Sequence, residues 1–200
     1  MRLRLLVLLL GWGCVFGGFV HAAESGPVRP IKILVAYHSL SGHTEKMAQA
    51  VAEGAKGLPE AQVLLKRVGQ VTGEELLGAD AIVIGSPVYW SNMAGEVKTF
   101  IDNWQFKFGV FPEFKLKNKV GAAFATGGQI SSGKELTMLS ILAAMLGNQM
   151  IVVSGGGAFG ASATTEGNSP GIDEQELASA RDLGRRVAAV AGVVVRGSGH

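Results

Sequence analysis

The sequence is poor in the residues that most sharply narrow a function. It holds one cysteine, Cys14, inside an N-terminal apolar stretch. If that stretch is removed the chain has no thiol, which excludes an internal disulfide, a thiolate metal site and a cysteine nucleophile together. Charged residues make up only 17% of the chain, and neither sign dominates, with 18 Lys and Arg against 16 Asp and Glu. No basic patch or stripe is present, so nucleic acid is not an expected partner. Aromatic residues amount to 7%, which makes the few that fall in loops worth following.

What is present divides the 200 residues into a short leader and one domain. Arg2 and Arg4 precede an apolar run over residues 5–20, and Val20-His21-Ala22 offers small residues where a signal peptidase reads them. Residues 1–22 are therefore expected to be a signal peptide cut after Ala22, delivering the chain to the periplasm. The run is short and Gly-rich for a membrane span, so membrane contact is expected only if the leader is retained as an anchor. Loss of residues 1–22 leaves 16 basic and 16 acidic groups. Residues 23–30 read as a linker, 31–192 as the domain and 193–200 as a C-terminal tail.

Within the domain, apolar runs alternate with helical patterns. Residues 31–37 (IKILVAY), 62–68, 79–86 (ADAIVIGS), 119–125 and 149–153 are predicted strands. Residues 44–56, 73–77, 95–106, 134–147 and 173–190 are predicted helices, and a Gly/Ser/Thr-rich loop spans 154–171. Strict alternation predicts an α/β fold of three layers, a five-stranded parallel sheet with helices on both faces and right-handed crossovers. The natural strand order is 2-1-3-4-5, with a ligand beyond the strand ends at the switch between strands one and three. The loops after strands one, three and four are thus the candidate site.

All three loops carry ligand-like chemistry. Residues 39–44 (Ser-Leu-Ser-Gly-His-Thr) place hydroxyls and a glycine at a helix N-terminus, where free N–H groups and the helix dipole favour a phosphate. A capped helix with ordinary turn residues would read the same way. Residues 85–95 (GSPVYWSNMAG) set Tyr89 and Trp90 in a loop, where exposed aromatics are unfavourable unless they cover something flat or pack on a neighbour. Residues 125–133 (ATGGQISSG) hold two adjacent glycines that let a backbone approach a ligand closely.

These motifs carry a resemblance. Residues 37–44 (YHSLSGHT) resemble the phosphate loop of the flavodoxin superfamily. Residues 85–104 (GSPVYWSNMAGEVKTFIDNW) resemble the flavin loop and following helix of the NADPH-dependent FMN reductase and WrbA-type NAD(P)H:quinone oxidoreductase families, and residues 160–188 resemble the WrbA-type ending. The resemblance implies a flavodoxin-like fold and FMN as cofactor, with phosphate contacts from Ser39, Ser41, Gly42, His43 and Thr44. Pro87, Val88, Tyr89 and Trp90 would edge the flavin ring, with Thr126, Gly127 and Gly128 on its other side. Phe106 or Phe108 could reach the ring or substrate pocket from the next segment, as could Trp104, for which core packing is the expected role. The resemblance further implies NAD(P)H as electron donor, a quinone-like acceptor and a homo-oligomer, dimer or tetramer. No catalytic side chain or metal ligand is expected, because the cofactor carries the chemistry. The chain departs from the WrbA type at Ala144-Met145-Leu146-Gly147, where a histidine near the substrate pocket is usual. An exported flavodoxin-like electron carrier, without turnover of its own, is the alternative reading.

Overall fold

The computed structural model describes residues 29–165 and 171–198, so the expected signal peptide, most of the expected linker and part of the long loop lie outside the described residues. The elements are β1 (Ile31–Tyr37), α1 (His43–Ala55), β2 (Ala61–Arg67), a 3-10 turn (Val68–Gln70), α2 (Gly73–Gly78), β3 (Ala81–Tyr89), β4 (Asn92–Met93), α3 (Gly95–Phe106), β5 (Val120–Gly127), α4 (Lys134–Gly147), β6 (Ile151–Val152), β7 (Ala161–Thr164) and α5 (Glu174–Gly197).

The sheet runs β2-β1-β3-β5-β6, parallel throughout, which is the doubly wound order expected. β1, β3 and β5 are near-continuous apolar runs because helices cover them on both faces. One face packs Ile33, Val35, Val83 and Phe124 against α1 and α5. The other packs Leu34, Ile82 and Ile84 against α2, α3 and α4. β2 stands at the edge and is only half-buried, as its more polar sequence requires.

Three features differ from the sequence reading. The fifth strand is split: β6 pairs with the start of β5 (Val120↔Ile151) and β7 with its end (Phe124↔Ala161). Residues 154–171 are therefore not one loop, since Ala161–Thr164 is a strand whose Ala-Ser-Ala-Thr sequence carries no large branched residue to announce it. The final helix runs on to Gly197, past the Val190 expected and into the stretch read as a tail, because Ala191 and Val195 keep its buried stripe going. β3 extends to Tyr89 and turns back as a hairpin where a loop was expected. Among the described residues no helix is long and apolar enough to cross a membrane.

Candidate functional site

The first loop leaves β1 at His38, whose N–H donates to the Gly85 carbonyl at 3.1 Å, tying it to β3. Ser39 is buried, and its Oγ accepts the Gly42 N–H at 3.1 Å. Gly42 takes φ +88° immediately before α1, a left-handed conformation that favours glycine. No side chain caps this helix, so the N–H groups of its first turn remain available. Thr44 is buried, and its Oγ1 lies 2.8 Å from Thr126 Oγ1, which joins the first loop to the third. Ser41 and His43 pair at the surface, Oγ to Nδ1, at 2.9 Å.

A set of contacts from β2 holds this loop from behind. Arg67 Nη1 donates to the Ser39 carbonyl at 2.5 Å and Nη2 to Glu45 Oε2 at 2.6 Å, and the guanidinium lies 5.5 Å from the Tyr37 ring centre. The Tyr37 hydroxyl donates to Glu45 Oε1 at 2.8 Å, and burial together with that bond raises its pKa. Sequence reading missed Arg67 and Glu45, because nothing in an edge strand or a helix surface marks a residue as reaching a distant loop.

The second loop is a two-residue hairpin. Val88 pairs with Met93 and Tyr89 with Asn92, leaving Trp90 and Ser91 at the tip with φ +51° and +60°. Such turns ordinarily use Asn-Gly or Asp-Gly; each non-glycine residue held there costs on the order of 1 kcal/mol or more. The Ser86 hydroxyl donates to the Pro87 carbonyl at 2.8 Å and accepts the Ala94 N–H at 2.9 Å, closing the base of the hairpin. Trp90 is fully exposed, while Tyr89 meets His38 edge to face with ring centres 6.4 Å apart. Pro87 and Val88 are half-buried.

The third loop follows β5. Thr126 and Gly127 are buried, Gly128 is half-buried, and Gln129 and Ile130 are exposed. Gly133 adopts φ +96° before α4, which also lacks a side-chain cap. A Cβ at Gly133 would stand 2.8 Å from Ser91 Cα, so the second and third loops lie in direct contact. Lys134 is buried under this loop, and its Nζ donates to the carbonyls of Gln129 and Ile130 at 2.9 and 3.1 Å and to Thr164 Oγ1 at 2.9 Å. Burial lowers its pKa, against the opposing pull of Glu135 and Glu176. The spacing Gly128…Gly133-Lys134, close to that of phosphate loops but with Glu135 in the hydroxyl position, was the available signal. Here the ammonium folds back to hold the loop.

The twelve residues singled out for a cofactor cluster at the carboxyl ends of β1, β3 and β5: Pro87, Val88, Tyr89, Thr126 and Gly127 are the last residues of their strands and the other seven follow them. Hydroxyls and open N–H groups lie at the same end of the sheet as the exposed Tyr89–Trp90 pair, with Trp90 held in a strained conformation, an arrangement that fits a ligand with a phosphate at one end and a flat ring at the other. Trp104 and Phe108 pack edge to face against Phe100 (5.8 and 6.1 Å), so they belong to the core, and Phe106 is exposed. A groove of about 770 Å³ lies on the α3 side, lined by His38, Arg67, Glu96, Thr99 and Asn103. Among the described residues no group of three His, Cys, Asp or Glu could hold a metal ion.

Comparison with known proteins adds three findings. The NADPH-dependent FMN reductase family model matches residues 31–165. An NAD(P)H dehydrogenase (quinone) of Geotalea daltonii is 33% identical over 80% of this chain and 97% of its own, and a flavodoxin of Clostridium saccharobutylicum is 34% identical over 79% and 96%. The solved structure of a WrbA-like flavodoxin from Agrobacterium tumefaciens superposes with a TM-score of 0.67 at 27% identity, covering 80% of this chain and 97% of that one.

Proposed function

The chain belongs to the NADPH-dependent FMN reductase family, and on that premise we propose that it is an FMN-dependent oxidoreductase passing electrons from NAD(P)H to a quinone or similar acceptor. The observation that carries this is the open start of α1, with Ser39 and Thr44 buried beneath it and Thr44 bonded across to Thr126. Ser39, Ser41, Gly42, His43 and Thr44 would hold the flavin phosphate there. Pro87, Val88, Tyr89 and Trp90 would edge the ring, and the backbone of Thr126, Gly127 and Gly128 would approach its other side. Bound FMN supplies the two-electron chemistry. The protein's own residues bind it, fix its plane and shield it from water, and none of them needs to act as a nucleophile.

Titrating the chain from residue 23 with FMN, by flavin fluorescence and absorbance, is the direct test. Saturation at one FMN per chain, followed by quinone-dependent oxidation of NADH or NADPH, is the expected outcome. A folded chain that binds no FMN overturns the reading. The flavodoxin relative at 34% identity favours a second reading, an electron carrier without its own turnover. Carriers that dock by charge steering have a strongly charged surface, which the balanced charges of residues 23–200 do not supply. A flavin-loaded protein with no NAD(P)H turnover would decide for the carrier.

We also propose that residues 1–22 direct export to the periplasm and are removed, anchoring the chain to the membrane only if uncleaved. The basic-then-apolar order of the leader supports this, with small residues at the expected cut. N-terminal sequencing of the periplasmic protein tests it, with Ala23 as the expected first residue. A homo-oligomer is proposed with it, testable by light scattering on the purified chain.

A further inference from the structure

The contacts behind the first loop do something the loop's own residues cannot. Glu45 stands in the first turn of α1, close to where the phosphate of the proposed cofactor is read. A free carboxylate there would repel a phosphate. It is not free: Arg67 takes one of its oxygens and the Tyr37 hydroxyl the other. The same guanidinium takes the Ser39 carbonyl with its second nitrogen, so one planar fork reaches both the loop and the helix that follows it. Arginine provides that fork and lysine does not, because an ammonium is a point charge on a flexible stem.

We propose that Arg67 is a positioning residue for phosphate recognition: anchored on Glu45 and Tyr37, it sets the Ser39–Gly42 turn before the cofactor arrives. This rests on the flavin reading above. Both terminal nitrogens of Arg67 are committed within the protein, so its action passes through the loop and is not that of a spare cation offered to the ligand. The Ser39 carbonyl is fixed by Arg67 and the Ser39 hydroxyl by the Gly42 N–H. The turn is thereby held at both ends, and the ordering cost of binding is met during folding.

A phosphate-specific role separates from a general structural one by comparing FMN with riboflavin, which has the same ring and no phosphate. Apo-protein from residue 23 is titrated with each, by flavin fluorescence, in wild type, Arg67→Lys, Glu45→Gln and Tyr37→Phe, with circular dichroism to confirm folding. Arg67→Lys and Glu45→Gln are expected to weaken FMN about tenfold, a size typical of losing a charge-assisted hydrogen bond, while riboflavin moves less than about twofold. Glu45→Gln is the decisive variant, because the two accounts of it differ in sign. If only charge mattered, removing a carboxylate beside the phosphate site would tighten FMN; if positioning matters, it weakens FMN. Tighter FMN in Glu45→Gln, full affinity in Arg67→Lys, or a parallel fall of riboflavin each overturns the proposal. Should Arg67→Lys or Glu45→Gln fail to fold, Tyr37→Phe removes one hydroxyl only. It is expected to lower the FMN-to-riboflavin preference about twofold, and an unchanged preference counts against the proposal. Wild-type protein that binds neither flavin defeats the functional reading itself, an outcome distinct from all of these.

Discussion

At the amino-terminal end of the sheet, Asp80 accepts both terminal nitrogens of Arg29 at 2.8 and 2.9 Å and the Lys32 N–H at 2.9 Å, and Lys119 donates to the carbonyls of Leu77 and Ala79. At the carboxyl end, α1, α3 and α4 start at Gly42, Ala94 and Gly133 with no side-chain cap. His38 Nε2 and Ser132 Oγ there are buried without a hydrogen-bond partner. The contrast is sharper still within that end. α2 and α5, which follow the outer strands β2 and β7, carry full capping boxes, Thr72 with Glu75 and Asp173 with Glu176. Among the described residues, the α-helices that start without a side-chain cap are thus those that follow β1, the β3–β4 hairpin and β5. Capping is worth about 1 kcal/mol per helix, so leaving those starts uncapped forgoes stability in the one place where a ligand could restore it.

The largest expected effect comes from forcing the open end apart. Gly133→Val puts a Cβ about where Ser91 already stands and a branched side chain at φ +96°. A loss on the order of 3 kcal/mol of unfolding free energy follows from strain and overpacking, with FMN affinity down more than tenfold, read by urea denaturation and flavin titration. An unchanged affinity would mean that the second and third loops do not act as one site. Next in size is FMN itself. At a hundredfold excess over its Kd it adds about 2.7 kcal/mol. Hydrogen exchange then slows in the first turns of α1 and α4 and stays level in those of α2 and α5. Equal slowing at all four would erase the distinction.

A smaller effect tests the closed starts. Thr72→Ala or Asp173→Ala each removes one half of a capping box and costs about 1 kcal/mol, measured as a shift in the denaturation midpoint. FMN affinity is expected to stay within twofold of wild type. A larger loss on Asp173→Ala would bring α5 into the site through Glu176, whose Oε1 accepts the Thr164 N–H at 2.7 Å.

Much of this was legible in the sequence, for reasons that can be named. β1 announces itself by its run of branched apolar residues and α3 by apolar residues at helical spacing, alternation gives the parallel sheet, and the strand order follows from the doubly wound arrangement natural for five strands. Thr44 and Thr126 were both named as cofactor contacts, though the bond between their hydroxyls could not be read from chain positions 82 residues apart. The hairpin at Trp90-Ser91 stayed hidden because its residues contradict the turn they adopt. β7 stayed hidden because four small residues make a strand only where the edge of β5 already waits for them. Lys134 and Arg67 were missed for a common cause: each works through a backbone carbonyl, and the sequence shows side chains, not the carbonyls they reach.

The smallest effect concerns acid, and it belongs to the closed end. Burial pushes the Asp80 pKa up, but the bonds from Arg29 and the Lys32 N–H, with Lys119 nearby, outweigh it and hold the carboxyl below the ordinary aspartate value. A carboxyl whose folded pKa lies below its unfolded one contributes stability that is fully present above the unfolded value and is lost as pH falls through the folded value. The wild-type chain should therefore lose stability from the ordinary aspartate range downward, by an amount kept small because Arg29 is half exposed and its attraction is screened. Asp80→Asn cannot titrate, so it should be less stable than wild type at neutral pH and converge on it in acid. Denaturation midpoints at a series of pH values measure this directly, and parallel curves would show that the Arg29 pair contributes nothing that depends on ionisation. FMN affinity at neutral pH should not change in Asp80→Asn, since the carboxylate is at the opposite edge of the sheet from the three loops. A coupled loss there would mean that the two ends, one closed by its own charges and one left open, are not independent after all.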